Sequence, residues 1–388
     1  MIDSTLLINA VIAGNQDDVQ EMLNNGANPN FRDHMGRAAI LYAATQGSLQ
    51  IVKKLIVAGA NLDDKDETGW SPLMVAIHEG HQDIARFLIQ EGADVTGQTN
   101  NGQSILQLAA AKGNLEIAQI LIKRGADPKY VRNDGYTVLM AAAQGGVVEL
   151  VRELVEVHEV EIKREQPDGW NALRYAVESR NNEVVKTLLE YDADPNWKDQ
   201  NGYSLLVIAV EKKEPEIVRV IIEAGAEVNT QYGTGWTALT LASQKGEKEI
   251  VQILIENGAK VNIQLNSGQT NLMTAASSGN QEIVDTLLEN GANIHITRND
   301  GYTTLMSAAE GGLTDFVIFL LKRGVDVNRQ SNTGATALMI AAQRGHVEIV
   351  RILLDNGAIA ELYDNSEKQA INYAEINGHN EIVSMLSS

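Results

Sequence analysis

The sequence predicts an all-α solenoid of helix pairs joined by short hairpin loops, and two observations carry this prediction. The stretch RNDGYTVLMAAAQGG, from Arg132 to Gly146, returns as RNDGYTTLMSAAEGG, from Arg298 to Gly312, with 12 of 15 positions identical. Glycines in a common context also recur every 33 residues, with one interval of 34. These glycines are Gly36, Gly69, Gly102, Gly135, Gly169, Gly202, Gly235, Gly268, Gly301 and Gly334. A fixed period over a whole chain indicates stacked repeats instead of one globular core.

The frame of the period covers the chain with twelve repeats. Extended backwards it places Asp3 at the glycine position, and extended forwards it places Glu367 there. We expect one array over residues 1–388, whose terminal repeats act as caps. Its parts are an N-terminal capping repeat at 1–30, repeats 2–5 at 33–164, repeats 6–11 at 165–364, and a C-terminal capping repeat at 365–388.

Repeat 11, TGATALMIAAQRGHVEIVRILLDNGA, shows how each repeat is built. Thr336 is suited to cap a first helix, and Gly345 breaks that helix. A second helix follows His346, and Gly357 ends it as a left-handed C-terminal cap requires. The apolar stripe of this second helix consists of Ile349, Val350, Ile352 and Leu353. Each repeat therefore has an apolar face that only a neighbouring repeat can cover.

These motifs resemble the ankyrin repeat family. SPLM, from Ser71 to Met74, is similar to the family's TPLH signature, and GHVEIVRILLDNGA, from Gly345 to Ala358, is similar to its second helix. The resemblance implies paired helices and one hairpin loop per repeat, stacked into a curved ankyrin-repeat α-solenoid. It also implies binding of another protein through the hairpin tips and the inner, concave helices, which is an argument by analogy.

The pattern is weakest in the middle of the chain. His158 and Asp192 stand where a glycine closes the second helix, and Arg180 and Lys213 stand where a glycine separates the two helices. The inserted residue lies in the same region, within HEVEIKREQPDG. Two interpretations stay open, sequence drift in a tolerant loop and an irregular junction between the two parts of the array.

Composition narrows the class of partner. The chain has 51 acidic and 31 basic residues and a formal net charge of −20, which disfavours binding to nucleic-acid backbones and favours a basic protein partner. The start of the chain lacks a signal-peptide pattern, and its apolar runs are too short for a membrane span. We expect a monomer in the cytoplasm, without membrane association, or a protein secreted into a host cell by an unrecognised signal.

No residue pattern in the chain indicates catalysis. The absence of cysteine excludes thiolate chemistry and cysteine–zinc sites. His78, Glu79 and His81 in HEGH do not have the HExxH spacing that aligns two metal ligands on one helix. The glycine pairs Gly145–Gly146 and Gly311–Gly312 follow a helix, whereas a phosphate-binding loop would precede one. We therefore predict a non-enzymatic protein without a metal or another cofactor.

The residue after each landmark glycine forms what we call the aromatic column. By the family resemblance, it lies where the hairpin meets the first helix, on the concave side. Three of the four tryptophans in the chain belong to it. The column consists of Trp70, Gln103, Tyr136, Trp170, Tyr203, Trp236, Gln269 and Tyr302. It is interpreted either as a partner-binding stripe, since large amphipathic rings dominate interface energetics, or as a framework position.

The column also shows that a block larger than one peptide is duplicated. Trp70, Gln103 and Tyr136 are followed 166 residues later by Trp236, Gln269 and Tyr302. A partial duplication of five repeats would produce the two blocks, at 66–148 and 232–314. Ancestry alone explains this pattern, and so does a retained pair of similar docking surfaces.

Two functions follow from the sequence. The first is a scaffold, adaptor or inhibitor that binds a partner protein on its concave face. The second is a sensor of a nucleotide-like small ligand, because LLINAV and GANPNF resemble the ankyrin domain of the oligoadenylate-activated ribonuclease. That resemblance implies that two rings two repeats apart stack on an adenine nucleotide. The family's lysine and glutamate are replaced here by Thr99 and Ala141, or by Leu265 and Ser307, which leaves Arg132 and Arg298 as the candidate ligand-binding cations.

Overall fold

The computed structural model describes residues 4–387, so the landmark position assigned to Asp3 lies outside the described residues. Over this range the chain forms 24 α-helices and no strand, apart from isolated antiparallel bridges that close hairpins, such as Arg32–Ala38 and Tyr232–Trp236. The predicted all-α class with hairpin loops is confirmed. None of these helices is long and apolar enough to cross a membrane.

The helices alternate between a first and a second helix in each of the twelve repeats. The first helices are α1 Thr5–Ile12, α3 Ala39–Thr45, α5 Pro72–Glu79, α7 Ile105–Ala111, α9 Val138–Gly145, α11 Ala172–Glu178, α13 Leu205–Lys212, α15 Ala238–Lys245, α17 Asn271–Ser277, α19 Thr304–Gly311, α21 Ala337–Arg344 and α23 Ala370–Ile376. The second helices are α2 Gln16–Asn24, α4 Leu49–Val57, α6 Gln82–Gln90, α8 Leu115–Lys123, α10 Val148–Glu156, α12 Asn182–Glu190, α14 Pro215–Glu223, α16 Lys248–Glu256, α18 Gln281–Glu289, α20 Thr314–Lys322, α22 Val347–Asp355 and α24 Asn380–Leu386.

The chain divides into two compact parts, an N-terminal half at Met1–Asp194 and a C-terminal half at Pro195–Ser388. Within each half, a first helix packs against its own second helix and against the first helices of neighbouring repeats. Most second helices contact their neighbours in the same way. The helix pairs of each half therefore form a solenoid in which each repeat covers the apolar face of the next.

Repeat 11 shows why the sequence forms these helices. The Thr336 hydroxyl accepts a hydrogen bond from the Met339 amide at 3.2 Å, which satisfies one of the free N–H groups at the start of α21. Gly345 ends α21 in the left-handed conformation. In α22 the residues Ile349, Val350 and Leu353 are buried, whereas Ile352 is only half-buried. The predicted capping residue and helix end are confirmed, and the buried stripe is narrower than expected.

The landmark glycine is required by both its conformation and its surroundings. Gly69 has φ +85°, and a Cβ atom added to it would lie 2.7 Å from the Asn100 amide nitrogen of the next hairpin. That amide donates to the Thr68 carbonyl at 3.0 Å, so the two hairpins touch through their backbones. Glu367 takes the same place in the last repeat with φ 60°, as the frame predicts.

An asparagine clamp joins five pairs of successive repeats. Its side-chain amide donates to a carbonyl 29 residues on, and its oxygen accepts from a backbone amide 31 residues on. Asn229, for example, bonds the Gly258 carbonyl at 2.9 Å and the Lys260 amide at 2.8 Å. The clamp residues are Asn30, Asn196, Asn229, Asn262 and Asn328. Each clamp satisfies two backbone groups that belong to the following repeat.

Clefts open at three places where another residue replaces the clamp asparagine. Thr96, Lys129 and His295 stand there, and the adjoining clefts have volumes of about 160, 250 and 310 Å³. The cleft at His295 is lined by Gly324 and Asp326, whose positions correspond to the two residues that a clamp asparagine bonds. We infer that the loss of the clamp separates the hairpin from the next repeat.

Restoring the clamp is expected to stabilise the C-terminal half. His295→Asn would add hydrogen bonds to the Gly324 carbonyl and the Asp326 amide, which together contribute about 1 kcal/mol of net stability. The matched reverse change, Asn229→His, should cost a similar amount. Urea melts of the two variants measure both changes. If His295→Asn left the midpoint unchanged while Asn229→His lowered it, the cleft would have another cause.

Non-glycine residues adopt left-handed backbone conformations in the middle of the chain. Arg180, Asp192 and Lys213 have φ values of 59°, 63° and 61°, each at a position where other repeats have glycine. The expectation that His158 takes the place of the left-handed closing glycine is wrong. The inserted residue lengthens the turn, and the left-handed conformation moves to Glu159, at φ 50°. Since this conformation costs an L-residue roughly 1–2 kcal/mol, local strain is concentrated in this segment.

The boundary between the two halves also falls within His158–Lys213, so we expect the halves to unfold in separate transitions. Trp70 and Trp170 report on the N-terminal half, and Trp197 and Trp236 on the C-terminal half. Fluorescence urea melts of variants with phenylalanine at either tryptophan pair should therefore give different midpoints. Arg180→Gly should raise only the midpoint of the N-terminal half. Coincident midpoints for both variants would show that the chain unfolds as one unit.

Candidate functional site

Every residue of the aromatic column directly precedes the N-cap residue of a first helix. Trp70 precedes the cap Ser71, Trp236 precedes Thr237, and the other column residues follow the same rule. Several of the side chains then extend along the first helix to the residue eight positions on. The Tyr302 hydroxyl, for example, donates to Glu310 Oε2 at 3.1 Å. The column therefore lies on the side of each repeat formed by the first helix, which we call the first-helix face.

The column is not uniformly exposed, and Tyr136 is the exception. Its side chain is only 5% exposed, whereas the other column residues are half-buried. The Arg132 guanidinium lies 4.8 Å from its ring centroid, and the Tyr175 ring packs edge-on at 5.3 Å. Its hydroxyl donates to Gln144 Oε1 at 2.6 Å. The expectation that Tyr136 presents an exposed ring is wrong, because the next repeat covers it with Tyr175.

A cluster of aromatic and charged groups surrounds Trp170. The Tyr175 ring lies 4.9 Å from the Trp170 ring, and the Arg174 guanidinium lies over Trp170 at 4.4 Å. Arg174 also forms an ion pair with Glu178 at 2.8 Å. Arg174 and Tyr175 lie outside the aromatic column and were not predicted as site residues. The sequence contained a signal for them, because a charged and an aromatic residue stand at two positions where repeat 5 has Met140 and Ala141.

The second half of the column has different neighbours. The Tyr203 ring packs edge-on against Tyr232 at 4.9 Å, and burial raises the pKa of Tyr232 to about 12. Trp236 is half-buried and has no ring or cation stacked on it among the described residues. The Gln269 amide donates to Thr274 Oγ1 at 3.0 Å, and Gln103 is half-buried at its hairpin.

The two copies of the RNDGY peptide have similar local geometry, with the arginine on the tyrosine ring and paired with the aspartate. Arg298 lies 5.0 Å from the Tyr302 ring centroid and bonds Asp300 through one nitrogen at 2.8 Å, whereas Arg132 bonds Asp134 through both Nε and Nη2. The residues around the two tyrosines differ. Tyr302 lies beside Glu310, which pairs with Arg344 at 2.6 Å, whereas Tyr136 packs against the Tyr175 ring. The blocks 66–148 and 232–314 therefore present different surfaces.

The two candidate ligand-binding cations, Arg132 and Arg298, are already engaged in contacts within the chain. Each guanidinium lies on its own tyrosine and is neutralised by the aspartate two residues later. The hydrogen bonds that Arg132 donates to the Asp134 carboxylate raise the pKa of Arg132. The Trp70–Tyr136 pair lacks a second open ring for a nucleobase, because Tyr136 is buried. The arrangement does not favour the nucleotide-sensor interpretation at this pair.

Trp70 lines a recess that we call the Trp70 cavity, with a volume of about 240 Å³. Arg37, Asp66, His78 and Glu79 contribute polar groups to its wall. The His78 ring meets the Trp70 ring edge-on at 5.1 Å. Burial raises the pKa of Asp66, but hydrogen bonds from Thr68 and from the Trp70 amide, together with the Arg37 charge, leave it below the ordinary value. Asp66 is therefore a carboxylate at neutral pH.

Negative charge is distributed unequally between the two sets of helices. Among residues 4–387, eleven of the twelve second helices carry an acidic residue in the first turn, and none of the first helices does. A carboxylate there is stabilised by the positive end of the helix dipole. Part of the net charge of −20 therefore comes from carboxylates that stabilise the second helices, and this part is not evidence for a binding site on the first-helix face.

Three of the histidines and the paired glycines have structural roles. The Nε2 atoms of His81, His346 and His379 lie 3.1, 3.2 and 3.2 Å from backbone carbonyls of the preceding repeat. A Cβ atom at Gly145 would lie 2.1 Å from the Ala110 carbonyl oxygen, so this glycine permits close helix packing. His78 and Glu79 are exposed, and residues 4–387 contain no group of three or more potential metal ligands.

Comparison with known proteins identifies the family. The model for ankyrin repeats in three copies matches residues 7–99, 40–132, 106–199, 206–298, 261–331 and 305–388. The chain belongs to the ankyrin repeat family. A solved structure similar to this ankyrin chain is the ankyrin repeat domain of Bcl-3, described as a unique member of the IkappaB protein family. It is 27% identical with a TM-score of 0.47, over 57% of this chain and 100% of that chain. None of the curated proteins compared with the chain matches it.

Proposed function

We propose that this ankyrin repeat protein is a non-enzymatic interaction scaffold that binds a partner protein on its first-helix face, the concave side of an ankyrin array. The observation that carries the proposal is the repeated placement of tryptophan. Trp70, Trp170 and Trp236 each precede a first-helix cap, lie on the first-helix face of their own repeat and stay half-buried. Partly exposed tryptophans offer large apolar area and an N–H donor, and they are enriched among the residues that dominate binding energy.

The column residues contribute unequally to the proposed surface. Trp70 and Trp236 are the main anchors in this proposal, because no guanidinium of residues 4–387 is stacked on either ring and the ring that meets Trp70 is the exposed His78. Trp170 is already covered in part by Arg174, and Tyr136 belongs to the framework. Tyr203, Tyr302, Gln103 and Gln269 form the half-buried rim of the surface. Few residues carry most of the energy of a typical interface, so this division is physically reasonable.

Affinity capture with mass spectrometry tests the proposal. The wild-type chain is compared with the double variant Trp70→Ala/Trp236→Ala and with the control Val57→Asp/Val157→Asp. The control valines lie at the ends of second helices and are 89% and 68% exposed. Proteins captured by the wild type and the control, but lost from the tryptophan variant at equal folding, are the expected result. If the control loses the same proteins and the tryptophan variant retains them, binding occurs on the second-helix side.

A further inference from the structure

We propose that the Trp70 cavity binds an arginine side chain of the partner protein. This inference rests on the proposed function, because it requires that a partner docks on the first-helix face. It adds the chemistry of one contact, in which a guanidinium stacks on the Trp70 ring and pairs with Glu79 at the cavity wall.

The cavity has more negative than positive groups. Asp66 and Glu79 face a single guanidinium, Arg37, whose contact with Asp66 is long at 3.4 Å. The other oxygen of Asp66 accepts hydrogen bonds from the Thr68 amide at 2.9 Å, the Thr68 hydroxyl at 2.6 Å and the Trp70 amide at 3.0 Å. Both oxygens of Asp66 are therefore already bonded within the cavity wall. Glu79 is exposed and forms no ion pair with another described residue, so its carboxylate is available to an incoming cation.

The same chain shows how the first-helix face holds a guanidinium on a tryptophan. In repeat 6, Arg174 lies 4.4 Å from the Trp170 ring centroid and 2.8 Å from a Glu178 oxygen. Trp170 and Arg174 correspond to Trp70 and Met74 in repeat 3, which lie 100 residues earlier. Glu178 corresponds to His78, so the carboxylate of repeat 3 is Glu79, one position later. Met74 supplies no cation where repeat 6 has Arg174, and the guanidinium in the cavity wall, Arg37 of repeat 2, pairs with Asp66. The cavity is open where a partner could supply one.

Arginine fits this site better than lysine. Its planar guanidinium can stack on an indole and donate hydrogen bonds to carboxylates at the same time, whereas the lysine ammonium is a compact, strongly hydrated charge. The excess of acidic residues, with a net charge of −20, also favours approach of a basic partner segment.

The duplicated block provides a matched control. Trp236 corresponds to Trp70, but Asp66 and Glu79 are replaced in that block by Tyr232 and Lys245. Trp236 therefore has the same indole ring as Trp70, but Lys245 replaces the carboxylate of Glu79. We expect Trp236 to bind a different, uncharged or acidic part of the partner.

The test uses N-acetyl-arginine amide as the probe and N-acetyl-citrulline amide as its uncharged analogue of similar shape. Each is titrated into the full chain labelled with 15N at tryptophan, and the indole N–H signals are followed by NMR. The arginine probe should shift the Trp70 signal saturably and leave Trp236 unchanged. Glu79→Lys, which copies the charge of Lys245, should weaken the effect at least about tenfold. Glu79 is exposed, so this variant should fold normally.

Several results would overturn the inference. They are the absence of a Trp70 shift, an equal response to citrulline, an equal response at Trp236, or no effect of Glu79→Lys. The proposed function is judged separately by partner capture. Capture that depends on the two tryptophans, without arginine binding at Trp70, would reject only the inference. Capture that ignores both tryptophans would reject the proposed function even if the cavity binds free arginine.

Discussion

Replacing Gly145 by alanine is expected to destabilise the N-terminal half by about 3 kcal/mol, although alanine ordinarily favours a helix by about 1 kcal/mol over glycine. The added Cβ atom would lie 2.1 Å from the Ala110 carbonyl oxygen and 3.0 Å from the Gly113 amide nitrogen. Both are backbone atoms of the preceding repeat, so relief requires the two first helices to separate. Gly311→Ala should act similarly on the C-terminal half, since its Cβ would lie 1.9 Å from the Ala276 carbonyl oxygen.

Ser278→Ala is the matched control for both glycine variants. Ser278 occupies the same position in repeat 9 and is exposed, so alanine should change stability by less than about 0.5 kcal/mol. Chemical denaturation of the three variants measures the differences. An increase in stability for Gly145→Ala would show that helix propensity outweighs packing and that the helices do not approach this closely.

Tyr136→Ala and Trp236→Ala are expected to have opposite effects. Tyr136 is buried among Arg132, Tyr175 and Gln144, so its truncation should cost about 3–5 kcal/mol of stability. Trp236 keeps part of its ring exposed, so its truncation should affect folding little and weaken partner binding by about 2 kcal/mol or more.

Denaturant melts and binding titrations with the captured partner measure both effects. Tyr136→Phe is the matched control, because it keeps the ring and removes only the hydroxyl bond to Gln144. It should lose much less stability than Tyr136→Ala. If Trp236→Ala unfolds the C-terminal half as strongly as Tyr136→Ala unfolds the N-terminal half, the column is a framework throughout.

The fold was predictable because its determinants are local and repeated. Caps such as Thr336 and left-handed residues such as Gly345 and Gly357 act within one repeat, so their positions in the sequence fix the helix ends. The displaced turn at Glu159 was not predictable to the residue, because one inserted residue can be accommodated at several positions of a loop.

The site was only partly predictable, because exposure depends on the next repeat. The column was found as a pattern, and its place before each first-helix cap follows from the frame. The burial of Tyr136 depends on Tyr175 in the following repeat, at a position where repeat 5 itself has alanine. Both RNDGY peptides place the arginine on the tyrosine ring, yet their surfaces differ for this reason.

Hydroxyl-radical footprinting of the chain, free and bound to the captured partner, tests most directly where the partner binds. Trp70 and Trp236 probe the first-helix face, Phe87 and Phe319 probe the second helices, and buried Trp197, 5% exposed, is the internal control. We predict that the partner slows oxidation of Trp70 and Trp236 and leaves Phe87, Phe319 and Trp197 unchanged. Protection of Phe87 and Phe319 with unchanged Trp70 and Trp236 would contradict binding on the first-helix face.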